Sequence, residues 1–240
     1  MKILIDINHP AHVHYFRNFI ETAKKNGYQF CIIARNKEVS FDLLEHYRIE
    51  FISRGKSLTK LPGKIFYMLW AGFFILYHSI KFKPDVFISF GSIYLTIISF
   101  LLRKPHLAFN DTEYAPLLKQ YIAPFSTLIL TPSCFKKDLG RHHYRFESYM
   151  ELCYLHPNYF KPNPSIFTDL KINPFEKYVI VRFVSWEASH DIGQHGFTDY
   201  EKIKFIKTIS NYIKVFISSE GYIPEEIQKY KLNHCYPTKV

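Results

Sequence analysis

Glycine is scarce in this chain: nine residues in 240, none of them in a GxGxxG or GxxxxGK[ST] run. The two glycine loops that ordinarily cradle a dinucleotide or a nucleoside triphosphate are therefore missing. Cysteine is rarer still. Cys31, Cys134, Cys153 and Cys235 show no CxxC spacing, which excludes a dense disulfide framework and suits a reducing cytoplasm. No uninterrupted apolar run reaches the roughly 18 residues of a membrane span. The opening MKILIDINHPAH turns acidic and polar too early for a signal peptide. Carboxylates are in deficit, 21 Asp and Glu against 31 Lys and Arg, and the resulting +10 charge favours anionic partners. Phosphate-bearing substrates, acidic lipid head groups and nucleic acid all qualify. Nucleic acid ranks last, because the basic residues are dispersed and no recognised module appears. What is present in quantity is apolar: 48% hydrophobic against 22% charged residues excludes a disordered chain, and the length fits one to two domains.

Short apolar runs alternate with helical spacings. KILIDI (2–7), QFCIIAR (29–35), 49–53, DVFISF (85–90), HLAFND (106–111) and STLILTPS (126–133) read as strands. Val13, Phe16, Ile20 and Ala23 mark a first helix, closed by Asn26-Gly27; others are expected over 39–47, over a long apolar stretch, and over 93–103. This pattern predicts an α/β fold with a parallel, doubly wound sheet. In such sheets the ligand crevice lies beyond the carboxyl ends of the strands. Asn8-His9, Arg35-Asn36, Gly91-Ser92, Asp111-Thr112-Glu113 and Ser133 all fall there. Residues 156–176, with four prolines, read as a linker between an N-terminal domain (1–155) and a second (177–240). In the second domain KYVIVRFVSW and KVFISSEG are strands, separated by a helix through Ile203, Ile206, Ile209 and Ile213. A further helix is expected from Pro224. Two strands do not make a doubly wound domain, so this half is expected to be incomplete.

Four segments could carry chemistry. In the loop Asn8-His9-Pro10-Ala11-His12-Val13-His14, an imidazole near the opening of a helix can act as general base toward a sugar hydroxyl. Helix capping by Asn8 or His9 is the plainer reading, and a metal site is a third. One ion could hardly collect both His12 and His14, which point apart on a helix. Asp111 or Thr112 can simply cap the next helix; Glu113, not needed for that task, is the better candidate for acid–base work. The loop Ser185-Trp186-Glu187-Ala188-Ser189-His190-Asp191-Ile192-Gly193 follows a strand and suits diphosphate binding by backbone N–H groups. Ser219-Glu220-Gly221 is a weaker site of the same kind, since glycine after a strand is usually a turn. The stretch 61–82 is apolar nearly all round from Ile65 to Ile80 and bracketed by lysines. It reads equally as a buried core helix or as an interfacial helix on an anionic membrane surface.

The chain resembles the uncharacterised family known as domain of unknown function three-five-four. The resemblance rests on KILIDINHPAHVHYFRN, FNDTEYA, TPSCFKKDLG, YLHPNYFKP, RFVSWEASHDIGQ and FISSEG and spans essentially the whole chain. That family is similar in turn to GT-B glycosyltransferases, with two Rossmann-like domains, and to UDP-N-acetylglucosamine 2-epimerases. PAHVHYF sits where the lipid-linked N-acetylglucosaminyltransferase of peptidoglycan synthesis has TGGHVFP, which puts His12 on that motif's histidine. DTEYA is similar in position to the epimerases' VEAGLR, which puts Glu113 on their catalytic glutamate. Gly91-Ser92 falls at the transferases' acceptor loop. SWEASHDIG stands at their GGSQGA loop, with two of its glycines absent. The resemblance implies a metal-independent glycosyltransferase without cofactor, with a nucleotide-sugar donor and a lipid-linked or saccharide acceptor. His12 would be base or acceptor-orienting group, and Asp111 and Glu113 would position the sugar. Ser185, Trp186, Ser189, His190, Asp191 and Gly193 would bind the donor diphosphate, helped by Ser219, Glu220 and Gly221. Such an enzyme is expected in the cytoplasm or peripherally at the inner face of the membrane. A nucleotide-sugar 2-epimerase is the alternative, and a truncated, non-catalytic sugar- or nucleotide-binding protein is a third reading. Members of the family normally continue past position 240.

Overall fold

The computed structural model describes residues 1–58, 61–114, 118–184, 195–219 and 221–232. The chain divides into two compact units, Met1–Lys161 and Pro162–Val240. In the first, strands β1 (Lys2–Ile7), β2 (Gln29–Ala34), β3 (Ile52–Ser53), β4 (Val86–Phe90), β5 (His106–Phe109), β6 (Leu128–Pro132) and β7 (His143–Phe146) form one sheet. Its order is β3-β2-β1-β4-β5-β6-β7 and every pairing is parallel. Helices α1 (Pro10–Lys25), α2 (Ser40–His46), α3 (Leu61–Phe82) and α4 (Ile93–Leu101) make the crossovers, and α5 (Leu152–Leu155) packs on α1.

The alternation of side chains along β1 sorts the two layers. Ile3, Ile5 and Ile7 pack with Val13, Phe16 and Ile20 of α1 and with Leu43 and Leu44 of α2. Leu4, on the opposite face, packs with Ile75 of α3 and with Leu95 and Ile98 of α4. Asp6 shares that second face and is fully buried. Period-two alternation thus puts one carboxylate inside the α3/α4 layer, where it must find partners.

Three expectations change in the first unit. The strand read over 49–53 keeps ladder pairing only at Ile52 and Ser53, although Ile49 is buried in the core. A seventh strand, β7, pairs beyond β6; its sequence HYRF alternates poorly because it is an edge. The segment from Ile65 to Phe82 is not a core helix, since only 22% of it is buried. By length and composition it is long and apolar enough to cross a membrane, with Lys81 near its carboxyl end. The buried side chains recur every fourth residue, at Tyr67, Ala71, Ile75 and Ser79, and lie against the sheet.

In the second unit β8 (Tyr178–Phe183) and β9 (Lys214–Ser219) pair in parallel across α7 (Asp199–Ile209). Ile206 of α7, Val215 and Ile217 of β9, and Ile223 and Ile227 form its core. Thr198 caps α7 with Glu201 in a reciprocal capping box. A short helix, α6 (Ser165–Asp169), lies within the proline-rich stretch, where Leu170 and Ile172 are buried. After Pro224 the chain forms a 3-10 turn (Glu225–Tyr230) rather than an α-helix.

Candidate functional site

The strand order reverses between β1 and β4, so the crevice of the first unit opens there, between the loops Asn8-His9 and Gly91-Ser92. Gly91 holds the turn with φ +62°, its N–H donating to the Phe109 carbonyl at 3.1 Å. Ser92 caps α4 and donates its hydroxyl to Asp6 Oδ2 at 2.6 Å. Arg54, just past β3, donates Nε to Asp6 Oδ1 at 3.2 Å and Nη1 to the Tyr67 hydroxyl at 2.8 Å, and Nη2 bonds Asn8 Oδ1. The Asn8 amide returns a bond to Asp6 Oδ2 at 2.9 Å. The Tyr94 ring lies 5.2 Å from the guanidinium carbon. This buried knot ties both crevice loops to α3. Asn8 and Ser92 were expected as substrate contacts; the bonds described for their side chains run to Asp6, Arg54 and α4.

His9 is the N-cap of α1: its Nδ1 accepts the Ala11 N–H at 3.2 Å. His12 lies inside the first turn, not at its opening, and is almost wholly buried. Burial, with cationic neighbours, pushes its pKa down to about 3 rather than leaving it near neutrality. Its Nδ1 accepts the Asn8 N–H at 3.3 Å, so the neutral ring carries its proton on Nε2. This imidazole is built to donate a hydrogen bond. Its ring packs 4.9 Å from Phe90, and Tyr15 packs 5.2 Å from the same phenyl ring. His14 contacts Tyr154 of α5 at 5.1 Å. Among the described residues no group of three His, Cys, Asp or Glu could hold a metal ion.

At the end of β5, Asn110 rather than Asp111 satisfies the backbone, its Oδ1 accepting the Thr112 N–H at 2.8 Å. Asp111 accepts the Thr112 hydroxyl at 3.0 Å. Partial burial raises the Asp111 carboxyl above its usual range, and the Glu151 carboxylate adds to this, while hydrogen bonds from Thr112 and Tyr15 oppose it. Burial and the charges of Asp111 and Glu151 push the Tyr15 phenol up as well. Glu113 points to the loop after β6: Oε1 accepts the Lys136 N–H at 2.8 Å, and Lys137 Nζ bonds the Glu113 carbonyl at 2.8 Å. Sequence reasoning missed Asp6, Arg54, Tyr67, Tyr15 and Glu151. The one available signal was a lone carboxylate inside an apolar strand.

In the second unit, beyond the ends of β8 and β9 and beside the start of α7, lies a cavity of about 670 Å³. Arg182, Lys202 and His195 bring cationic or polar groups, and Phe183, Phe197 and Tyr222 bring rings. Asp199 holds Lys202 Nζ at 2.9 Å. Ser219 and Gly221 line it too; the Gly221 N–H donates to Ser219 Oγ at 3.3 Å, so that donor serves the turn. Ser185, Trp186, Ser189, His190, Asp191, Gly193 and Glu220 lie outside the described residues.

The first unit is thus a parallel sheet with a crevice at its reversal point, and the second a parallel βαβ unit with its own strand-end cavity. The chain belongs to the family described as a protein of unknown function (DUF354), whose pattern matches residues 1–219. The uncharacterized protein MJ0665 of Methanocaldococcus jannaschii is 25% identical over 157 residues. That match covers 63% of this chain and 46% of the relative, so the chain spans about half the relative's length. UDP-GlcNAc 2-epimerase from Neisseria meningitidis, solved with UDP-GlcNAc bound, superposes with a TM-score of 0.66 at 13% identity, over 100% of this chain and 74% of that one. The spinosyn rhamnosyltransferase SpnG, complexed with spinosyn aglycone, superposes with a TM-score of 0.56 at 11% identity, over 94% and 69%. Identities this low establish kinship of fold.

Proposed function

We propose that this chain is a GT-B-like glycosyltransferase of two Rossmann-like domains, which moves a sugar from a nucleotide-sugar donor to an acceptor hydroxyl without a metal ion. The observation that carries the reading is the cavity at the ends of β8 and β9, where rings, the cations Arg182 and Lys202, and the capping carboxylate Glu201 meet beside the start of α7. Rings accept a nucleobase by stacking, while Lys202, held by Asp199 at 2.9 Å, offers its ammonium to the negative diphosphate leaving group. The loop containing Ser185, Trp186, Ser189, His190, Asp191 and Gly193 contributes backbone N–H groups to the same diphosphate. Ser219 and Gly221 line the cavity, and Glu220 between them is assigned to the same site. In the first unit the Nε2–H of His12 orients the acceptor, and Asp111 and Glu113 position the sugar. Gly91 keeps the acceptor loop close to the strand end. The acceptor is a lipid-linked or other saccharide in surface polysaccharide assembly.

The 2-epimerase reading draws on a different observation, the raised carboxyl of Asp111 beside Tyr15 and Glu151. Such a group keeps its proton to higher pH than an ordinary carboxyl, which suits it to the proton transfer that epimerisation requires. Product analysis separates the two. With nucleotide-sugar alone, the transferase reading expects little nucleotide release, rising on addition of a saccharide acceptor. Epimerised sugar, or nucleotide released without acceptor, identifies the epimerase. Binding without either product leaves a carbohydrate- or nucleotide-binding protein and overturns both enzymatic readings.

A further inference from the structure

The outer face of α3 carries large apolar side chains from Ile65 to Ile80, and these face solvent. Phe66 and Phe73 are 68% and 71% exposed, and Trp70, Tyr77 and Ile80 are exposed beside them. The face continues onto α4, which packs against α3 and leaves Ile97, Phe100 and Leu101 exposed. Phe100 in turn meets the exposed Phe125, ring to ring, at 5.1 Å. Soluble monomers rarely leave so many large apolar side chains side by side in water.

Charge around this face has one sign. From Phe51 to Asn110 the chain has eight lysines and arginines, of which Arg54 is buried against Asp6, and one carboxylate, Asp85, which accepts the Lys2 N–H at 2.7 Å. Both helices run against the strands, so their carboxyl ends share one edge. Lys81, Lys83, Arg103 and Lys104 cluster there, all exposed, while Lys56 is exposed near the opposite end. A second copy docking on this face by two-fold symmetry would bring two cation-rich faces together with one carboxylate each, Asp85, already bonded to the Lys2 N–H. A layer of anionic head groups over acyl chains complements both the charge and the rings.

We propose that the α3–α4 face docks on the surface of an anionic lipid bilayer, lying in the interface instead of crossing it. The buried stripe through Tyr67, Ala71, Ile75 and Ser79 stays on the sheet, which leaves one side of α3 for lipid. Tyr67, in the first half of α3, bonds Arg54 at the crevice, so the exposed rings of that half lie one helix width from the crevice mouth. The proposal stands apart from the nucleotide-sugar reading, because its readout involves no sugar.

The test is co-sedimentation of the protein with vesicles of phosphatidylglycerol and phosphatidylcholine, and with phosphatidylcholine vesicles alone. Binding is expected on the anionic vesicles at low salt and is lost at about 1 M salt, where the Debye length is about 3 Å. The double variant Phe66→Ser/Phe73→Ser is expected to bind more than about fivefold more weakly with an unchanged melting temperature, because both rings are mainly in solvent. Should that variant melt early, Lys81→Glu/Lys83→Glu, which touches no core residue, is expected to weaken binding alone. Equal binding to neutral vesicles, or full binding by the lysine variant, overturns the proposal. So does a dimer that Phe73→Ser dissociates in a protein that ignores vesicles. Recovery of the protein only by detergent, as for a spanning helix, also overturns it.

Discussion

Arg54 and Asp6 form an ion pair, Nε to Oδ1 at 3.2 Å, with both side chains essentially out of water. They come from positions 48 residues apart and meet where β1 and β3 end. Two charges in the interior are tolerated because Ser92, Asn8 and Tyr67 fill the remaining hydrogen-bonding capacity. The pair fixes the entrance to the crevice.

Breaking one half of this pair should therefore be costly. Arg54→Met leaves Asp6 buried without its cation, and urea unfolding is expected to show a loss of about 3–5 kcal/mol. The double change Asp6→Leu/Arg54→Met should recover much of that loss. A loss below about 1 kcal/mol for the single variant contradicts the role assigned to the knot.

The two glycines of the candidate loops should respond differently. Gly91 sits at φ +62°, and a Cβ there would meet Asn110 Nδ2 at 3.3 Å. Gly91→Ala is expected to cost about 1–2 kcal/mol. Gly221 has ordinary φ and open space around its Cβ position, so Gly221→Ala should stay within about 0.5 kcal/mol. Thermal melts of the two variants side by side check this, and equal costs contradict it.

Three histidines make the fold acid-sensitive. Burial lowers His12 and His106 to about 3 and His14 to about 4, from 6.5. Between pH 6.5 and those values the unfolded chain binds protons that the folded chain refuses, so stability is full above pH 6.5 and falls as pH drops through the window. Melting temperature is expected to decline from pH 7 to pH 5, and His14→Gln to flatten that decline. A melting temperature constant over this range contradicts the burial argument.

If turnover is found, His12→Ala should reduce it at least about tenfold, read as kcat at saturating donor with the fold checked by circular dichroism. Glu151→Gln removes a like charge from Asp111, so the Asp111 carboxyl should titrate at lower pH, which carboxyl NMR can follow. An unmoved Asp111 titration means that the two carboxylates do not interact.

Much of the sheet is legible in the sequence because β1, β2, β4, β5 and β6 are buried on both faces and read as short apolar runs stopped by Pro, Gly or Asn. At the edges this signal fails. β3 keeps two paired residues and β7 is polar, since an edge strand has little to bury. The positions of the strand ends follow from the same runs, and with them the location of Asn8, Gly91 and Asp111. Side-chain partners do not, because Arg54 reaches Asp6 and Glu113 reaches Lys136 across separations that no local pattern encodes. α3 was ambiguous for a related reason. Its hydrophobicity is nearly uniform around the axis, so composition cannot say which stripe meets the sheet.

The most direct measurement is calorimetric titration of the protein with a panel of nucleoside diphosphates, followed by the same titration of Lys202→Ala. One site per chain is expected for at least one diphosphate, with affinity lowered more than about tenfold by Lys202→Ala and an unchanged melting temperature. Absence of binding across the panel, or binding indifferent to Lys202, contradicts it.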